Sequence, residues 1–221
     1  MKSEEFATAL YKMRKKREAL TWRILLCAAF FTLHSSLFIS CSEEDATEDE
    51  YVNWQERNET FFATLQDSLT RGSGTWLRLK SFSLDQTTEG LLTDYIYAKI
   101  LVQSAVQTES PKFTDSVRVS YEGRILPTTT YPEGYIFDTT MYNDYNIATA
   151  STVKLLTSNT VAGFSTALQH MHRGDRWRVY IPHQLAYGST PKTGIPAYST
   201  LIFDLTLVDF SAAGETMAPW K

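Results

Sequence analysis

Between Tyr51 and Leu69 the apolar residues Trp54, Phe61, Phe62, Leu65 and Leu69 recur at helical spacing, with Asn58 filling one gap in the stripe. The pattern predicts an amphipathic helix, stopped by Arg71-Gly72-Ser73-Gly74, where two glycines in four residues favour a turn. Such a stripe is expected to pack on the domain that follows, the alternative being a partner or dimer contact. From Trp76 to Phe82 the period shortens to two, placing Trp76, Arg78 and Lys80 on one side of a short strand and Leu77 and Leu79 on the other. Tyr95 to Gln103 reads as a stronger strand. In Val117 to Tyr121 the residues Val117, Val119 and Tyr121 share one face, so Tyr121 points the same way as the core. Asp85 to Gly90 and Gln107 to Thr114 are polar connections.

Further along, Gly163 to His172 predicts one short helix whose Phe164, Ala167, Leu168 and Met171 line a single face. Gly174 follows where a left-handed backbone is needed to leave a helix. Trp177 to Ile181 and Thr200 to Phe210 supply two more strands. Periodicity alone therefore gives a mixed α and β chain with an antiparallel sheet.

The first 40 residues carry a different pattern. Lys12, Arg14, Lys15, Lys16, Arg17 and Arg23 precede an apolar stretch from Ile24 to Ile39, which ends at Cys41. This is the order of a secretory signal, and the stretch is short for a membrane-spanning helix, the more so with Thr32, His34, Ser35 and Ser36 inside it. Glu4 and Glu5 suit a signal poorly, so translation is expected to start at Met13, which opens on Met-Arg-Lys-Lys-Arg.

Loss of residues 1–40 removes seven basic and three acidic side chains, leaving fourteen against twenty-two and a net charge of −8. Nucleic acid is an unsuitable partner for such a chain. Of the two cysteines, Cys27 lies in the segment to be removed, so the mature chain keeps one thiol and cannot form an internal disulfide. Ser42, Glu43, Glu44, Asp45, Glu48, Asp49 and Glu50 then form a solvated, self-repelling tether.

The ordered signals Val161-Ala162-Gly163-Phe164, Arg173-Gly174-Asp175-Arg176-Trp177-Arg178, Ile181-Pro182, Leu185-Ala186-Tyr187-Gly188, Gly194-Ile195-Pro196 and Leu201-Ile202-Phe203-Asp204-Leu205 resemble the core of an FKBP-type peptidyl-prolyl cis-trans isomerase. Val117 to Arg124 and Phe137-Asp138-Thr139-Thr140 resemble that family's opening strands. The resemblance runs from Tyr95 to Phe210. It implies an α+β fold, an FKBP-like twisted antiparallel half-barrel sheet wrapped over one short helix, here preceded by the N-terminal amphipathic helix. The implied organisation is a signal peptide over 1–40, the acidic tether over 41–50, a helical extension with a short strand over 51–90, the isomerase domain over 91–211 and a tail over 212–221. Pro127 to Gly134 looks longer than the family's usual hairpin, and Met141 to Ser151 is divergent.

Carried over residue by residue, the resemblance places an aromatic pocket on Tyr121, Phe137, Phe164, Tyr187 and Phe203, with Leu155, Val161 and Ile195 binding substrate at the walls and edges. Phe164 would be the floor, where many relatives have Trp. Tyr187 would offer a hydroxyl to a substrate carbonyl, and Asp138 would favour the twisted amide from the pocket edge. Leu155 stands where relatives often have another aromatic. The arginine that commonly pairs with the Asp is not evident in Met141 to Asn146, which leaves the partner of Asp138 open.

Leu37-Phe38-Ile39-Ser40-Cys41 resembles a bacterial lipobox, so Cys41 is expected to carry the lipid, the alternative being a chance cysteine beside an ordinary cleavage site. The acidic run resembles the tag that sends some lipoproteins to the outer membrane's outer face, and equally suits a plain linker. The implied protein is an exported, lipid-anchored isomerase of the bacterial cell envelope, acting on X-Pro bonds of proline-containing polypeptides that fold or reside there, with macrolide inhibitors among its candidate ligands. It needs no cofactor and no metal. The rival is a non-catalytic proline-binding or chaperone module. Arg173-Gly174-Asp175 spells an adhesion tripeptide but sits where the family turns from helix into strand, and His170 and His172, two apart, point to different faces rather than to one metal.

Overall fold

The computed structural model describes residues 50–71, 75–106, 108–141, 146 and 149–220. The signal, Cys41, most of the acidic tether and the Gly72-Ser73-Gly74 turn lie outside the described residues, as does most of the divergent stretch after Met141. Residues Thr47–Lys221 form one compact unit.

Among the described residues two α-helices and seven strands follow one another as α1 (Trp54–Arg71), β1 (Trp76–Lys80), β2 (Tyr95–Val102), β3 (Ser116–Arg124), β4 (Ile136–Thr139), β5 (Val153–Leu156), α2 (Ala162–Leu168), β6 (Arg176–Ile181) and β7 (Leu201–Ser211). The strands make one open, wholly antiparallel sheet in the order β1-β2-β6-β7-β3-β4. β5 pairs with the first half of β3, on residues Ser116 to Val119, while β4 pairs with the second half, Glu122 to Arg124. This is the α+β architecture that the sequence resemblance implies.

Alternation sorts the two faces of this sheet. On β6, Trp177, Val179 and Ile181 are buried and Arg178 points to solvent, where it meets Asp204 of β7 at 2.6 Å. The buried set joins Ile96, Ala98, Val117, Val119, Leu205 and Leu207 under α2, whose Phe164, Ala167 and Leu168, with Met171 just beyond, are 0–4% exposed. The helix approaches closely because position 163 has no side chain: a Cβ there would sit 2.3 Å from Cγ2 of Ile181.

The helix is shorter than the Gly163 to His172 expected. It stops at Leu168 because the amides of His170 and Met171 both turn back to the carbonyl of Ala167, tightening the end into turns. Gly174 then takes φ +92°, and Asp175 caps the corner with one carboxylate oxygen on the Ser104 amide and the other on the His172 amide, at 2.7 and 2.8 Å. Arg173 lies over the Phe210 ring at 3.6 Å and pairs with Asp209. The tripeptide Arg173-Gly174-Asp175 is thus built into the helix-to-strand corner. His170 meets the Thr166 carbonyl of α2, and His172 meets Asp175.

β2 does not alternate: Tyr95, Ile96, Tyr97 and Ala98 are all buried. Both of its faces are covered, the inner one by the α2 core and the outer one by α1, whose Phe62 and Leu65 pack on Tyr97. Phe61 and Trp76 extend this second cluster through the Tyr180 ring, which stacks with Trp76 at 5.6 Å. The stripe on α1 therefore packs on the sheet of the same unit. The tail also returns to the body, with Met217 buried and Arg118 donating to the Ala218 carbonyl at 2.8 Å.

Candidate active site

β3, β4 and β7 run side by side with Gly123 opposite both Asp138 and Phe203. A side chain at 123 would collide with two rings, since a Cβ there would lie 2.6 Å from both Phe137 and Phe203. The space left by this glycine lets Phe137 and Phe203 meet edge to face at 5.5 Å. Phe203 also meets Phe164 at 4.9 Å and Tyr121 at 6.0 Å, and Tyr121 meets Phe164 at 5.9 Å, all edge to face. Edge-to-face pairs present positive ring edges to negative faces, a favoured arrangement that fixes each ring's tilt.

These four rings bound an open hollow of about 480 Å³. Phe164, at the start of α2 and 4% exposed, lies deepest among them. Leu155 of β5 and Val161 add apolar wall, and Tyr187 stands at the opening, 37% exposed. The local chain explains the last placement. His183–Leu185 form a 3-10 turn with Leu185 turned inward, and the Gly188 amide closes on the His183 carbonyl at 2.8 Å, so Tyr187 is carried outward.

Asp138 is the one charged residue on the wall among the described residues, and it has a partner. The Tyr121 hydroxyl donates to its Oδ2 at 2.6 Å. Burial first, and the adjacent carboxylate second, push the phenol pKa far above its ordinary 10, so Tyr121 remains a donor at neutral pH. Among the described residues the side-chain partner of Asp138 is therefore a neutral hydroxyl.

Eight of the nine residues expected at the pocket, Tyr121, Phe137, Asp138, Leu155, Val161, Phe164, Tyr187 and Phe203, thus surround one hollow. Ile195 does not join them. It exchanges two backbone hydrogen bonds with Lys192, both 2.9 Å, in a tight turn, and its side chain packs in the main core at 5% exposure. Three wall residues were not foreseen: Ser158, Asn159 and Thr160, on and just after the 3-10 turn Thr157–Asn159. Their only sequence signal is their position between two expected wall residues, Leu155 and Val161. Among the described residues no group of three or more His, Cys, Asp or Glu side chains could hold a metal, and no helix is long and apolar enough to cross a membrane.

Residues 107–208 match the family model described as FKBP-type peptidyl-prolyl cis-trans isomerase. The chain is similar to the macrophage infectivity potentiator of Trypanosoma cruzi, 34% identical over 107 residues, which covers 48% of this chain and 48% of that protein. It is also similar to the FKBP-type peptidyl-prolyl cis-trans isomerase FkpA of Escherichia coli strain K12, 32% identical over 117 residues, 53% of this chain and 39% of that one. The chain thus spans about half or less of the length of these relatives. A peptidyl-prolyl cis-trans isomerase from Pseudomonas syringae pv. tomato shares the fold, with a TM-score of 0.52 at 22% identity over 73% of this chain and 96% of that one.

Proposed function

We propose that this domain catalyses cis-trans isomerisation of X-Pro bonds in polypeptides that fold or reside in the cell envelope. The observation that carries the reading is the open, ring-walled hollow with a single hydrogen-bonded carboxylate at its edge. The reaction makes and breaks no covalent bond, so no nucleophile is required. It must cross a torsional barrier of about 18–20 kcal/mol about a partly double C–N bond. The planar amide is charge-separated and the twisted one is not, so an apolar, water-poor cleft disfavours the first more than the second. The four rings and Leu155 supply that surface.

In this reading Phe164, Phe203 and Phe137 receive the pyrrolidine ring and Tyr121 closes the wall. Asp138, oriented by the Tyr121 hydroxyl, faces the amide as it twists, and Tyr187 donates to a substrate carbonyl. Hydrophobic macrolide inhibitors would compete for the same hollow.

The membrane link rests on sequence. Cys41, following Leu37-Phe38-Ile39-Ser40, would carry a lipid, and the acidic run after it would hold the domain away from an outer-membrane surface. Labelled fatty acid should enter the protein and be lost in Cys41→Ala; incorporation that survives the substitution overturns the anchor.

A protease-coupled assay on short X-Pro peptides tests the activity. Tyr187→Phe removes one exposed, neutral hydrogen bond, a group worth about 0.5–1.5 kcal/mol, so kcat/KM should fall about 2- to 10-fold. Asp138→Val leaves the Tyr121 hydroxyl without its acceptor and removes the charge, and should cost about 10- to 100-fold. Background catalysis by the parent domain, with proline peptides still bound, would leave a binding module in place of an enzyme.

A further inference from the structure

A second hollow lies across the 158–160 segment from the first. Its volume is about 490 Å³, nearly that of the ring-walled cleft, and it is bounded by Phe82, Ser83, Phe113, Ala162, Thr166 and Gln169, with Ser158 and Thr160 common to both hollows. The outward side of α2 makes the floor. Its walls come from two parts of the chain: Phe113 lies within the family-matched segment 107–208, whereas Phe82 and Ser83 lie before it, on the turn after β1. This turn is fixed in place. The Phe82 amide meets Thr166 Oγ1 at 3.3 Å, and the Phe82 ring stacks on His170 at 4.6 Å, leaving the residue 46% exposed. Phe113 opposite is 54% exposed.

Two large exposed rings across a concave surface cost solvation unless something covers them. No charged residue lines the groove, so the occupant is recognised by apolar contact and by the hydroxyl and amide groups of Ser83, Ser158, Thr160 and Gln169. A folded partner needs roughly 800 Å² on each side, far more than this groove offers, whereas one or two side chains of an extended chain fit it. The shared rim at Ser158 and Thr160 makes the groove a continuation of the proline cleft.

We propose that the groove is a subsite for an apolar or aromatic side chain of the polypeptide substrate, a few residues from the proline held in the cleft. The proposal rests on the isomerase reading for the cleft, and it makes the N-terminal extension a determinant of substrate choice. An unfolded polypeptide with a large apolar residue near its proline would engage both hollows at once; a short peptide would engage only the first.

The test uses peptides of about twelve residues with one central proline, carrying either Phe or Ala two to four positions away, and the Phe82→Ser/Phe113→Ser double variant. Both positions are exposed and outside the ring-walled cleft, so thermal melting should stay near that of the parent. The parent should bind the Phe series about tenfold more tightly than the Ala series, and the double variant should lose that preference. On the Phe series the variant's loss should appear in KM, with kcat and the rate on short tetrapeptides unchanged. Equal binding of both series by the parent, or a preference that survives in the variant, overturns the subsite. So does sedimentation showing that the two rings instead join two copies of the chain. A parent inactive on tetrapeptides but preferring the Phe series in binding would defeat the isomerase reading and leave the groove standing.

Discussion

Phe203→Ala is expected to lower kcat/KM on short X-Pro peptides by at least about a hundredfold and to destabilise the domain by about 3–5 kcal/mol. Both effects have one cause. Phe203 is 6% exposed, and its ring touches those of Tyr121, Phe137 and Phe164. Removing it deletes the ring common to three edge-to-face pairs and leaves a void that a β-strand flanked on both sides cannot close. The remaining rings lose the contacts that set their tilt, and water enters the space where the amide would twist. Urea unfolding gives the stability change, and assay below the unfolding midpoint gives the rate. Phe203→Leu separates the two, since a smaller change in volume costs stability less while the aromatic wall is still lost. Activity within twofold of the parent in Phe203→Ala would mean that these rings are core alone and that isomerisation occurs elsewhere.

The parts legible from sequence are those where one physical signal dominates. β6 has one face on the core and its burial alternates, while on β3 the period-two spacing of Val117, Val119 and Tyr121 marked their shared face even though Arg118 and Ser120 behind it are covered as well. The α2 face was legible because Phe164, Ala167 and Leu168, with Met171 just beyond the helix, are buried in one core. β2 shows the limit: with both faces covered, its burial pattern says nothing about which element covers which side. The Asp138 partner was hidden for another reason. Tyr121 and Asp138 lie 17 residues apart, and only the pairing of Gly123 with Asp138 brings the carboxylate within reach of a hydroxyl two residues along the neighbouring strand. Ile195 followed family position, but the backbone bonds that close its turn with Lys192 accompany a side chain packed in the core, a feature no pattern of residue types encodes.

The extension before the family-matched segment also has more to do than its hydrophobic stripe suggests. Arg57 of α1 donates to the Pro127 carbonyl at 3.0 Å, and Glu50 accepts from the Thr128 hydroxyl, so the long 127–134 loop is tied to the start of α1. Trp54 Nε1 donates to Ser199 Oγ at 2.8 Å, and Ser199 Oγ in turn donates to the Pro196 carbonyl at 2.7 Å. These polar ties fix the orientation of α1 where apolar contact alone would allow sliding. They all converge on segments that lead into the strands of the candidate active site.

Asn58, legible in sequence only as a polar gap in that stripe, is expected to be the most sensitive of these ties. It is fully buried; its amide nitrogen donates to the Trp54 carbonyl at 2.7 Å, and its oxygen accepts from the Thr200 amide at 2.7 Å, one residue before β7. Asn58→Ala leaves the Thr200 N–H buried without a partner and opens a small void, together costing about 2–3 kcal/mol. For a unit of this length that corresponds to a fall in Tm of roughly 5–10 °C. Because Phe203 lies three residues beyond Thr200, isomerase activity should fall as well, but only a few-fold, since the strand pairs of β7 with β3 and β6 still hold the ring. Asn58→Leu should fare no better despite matching the stripe, because it fills the volume and still offers no acceptor. A leucine variant as stable as the parent would show that the Thr200 amide finds another partner and that α1 is held by its apolar face alone.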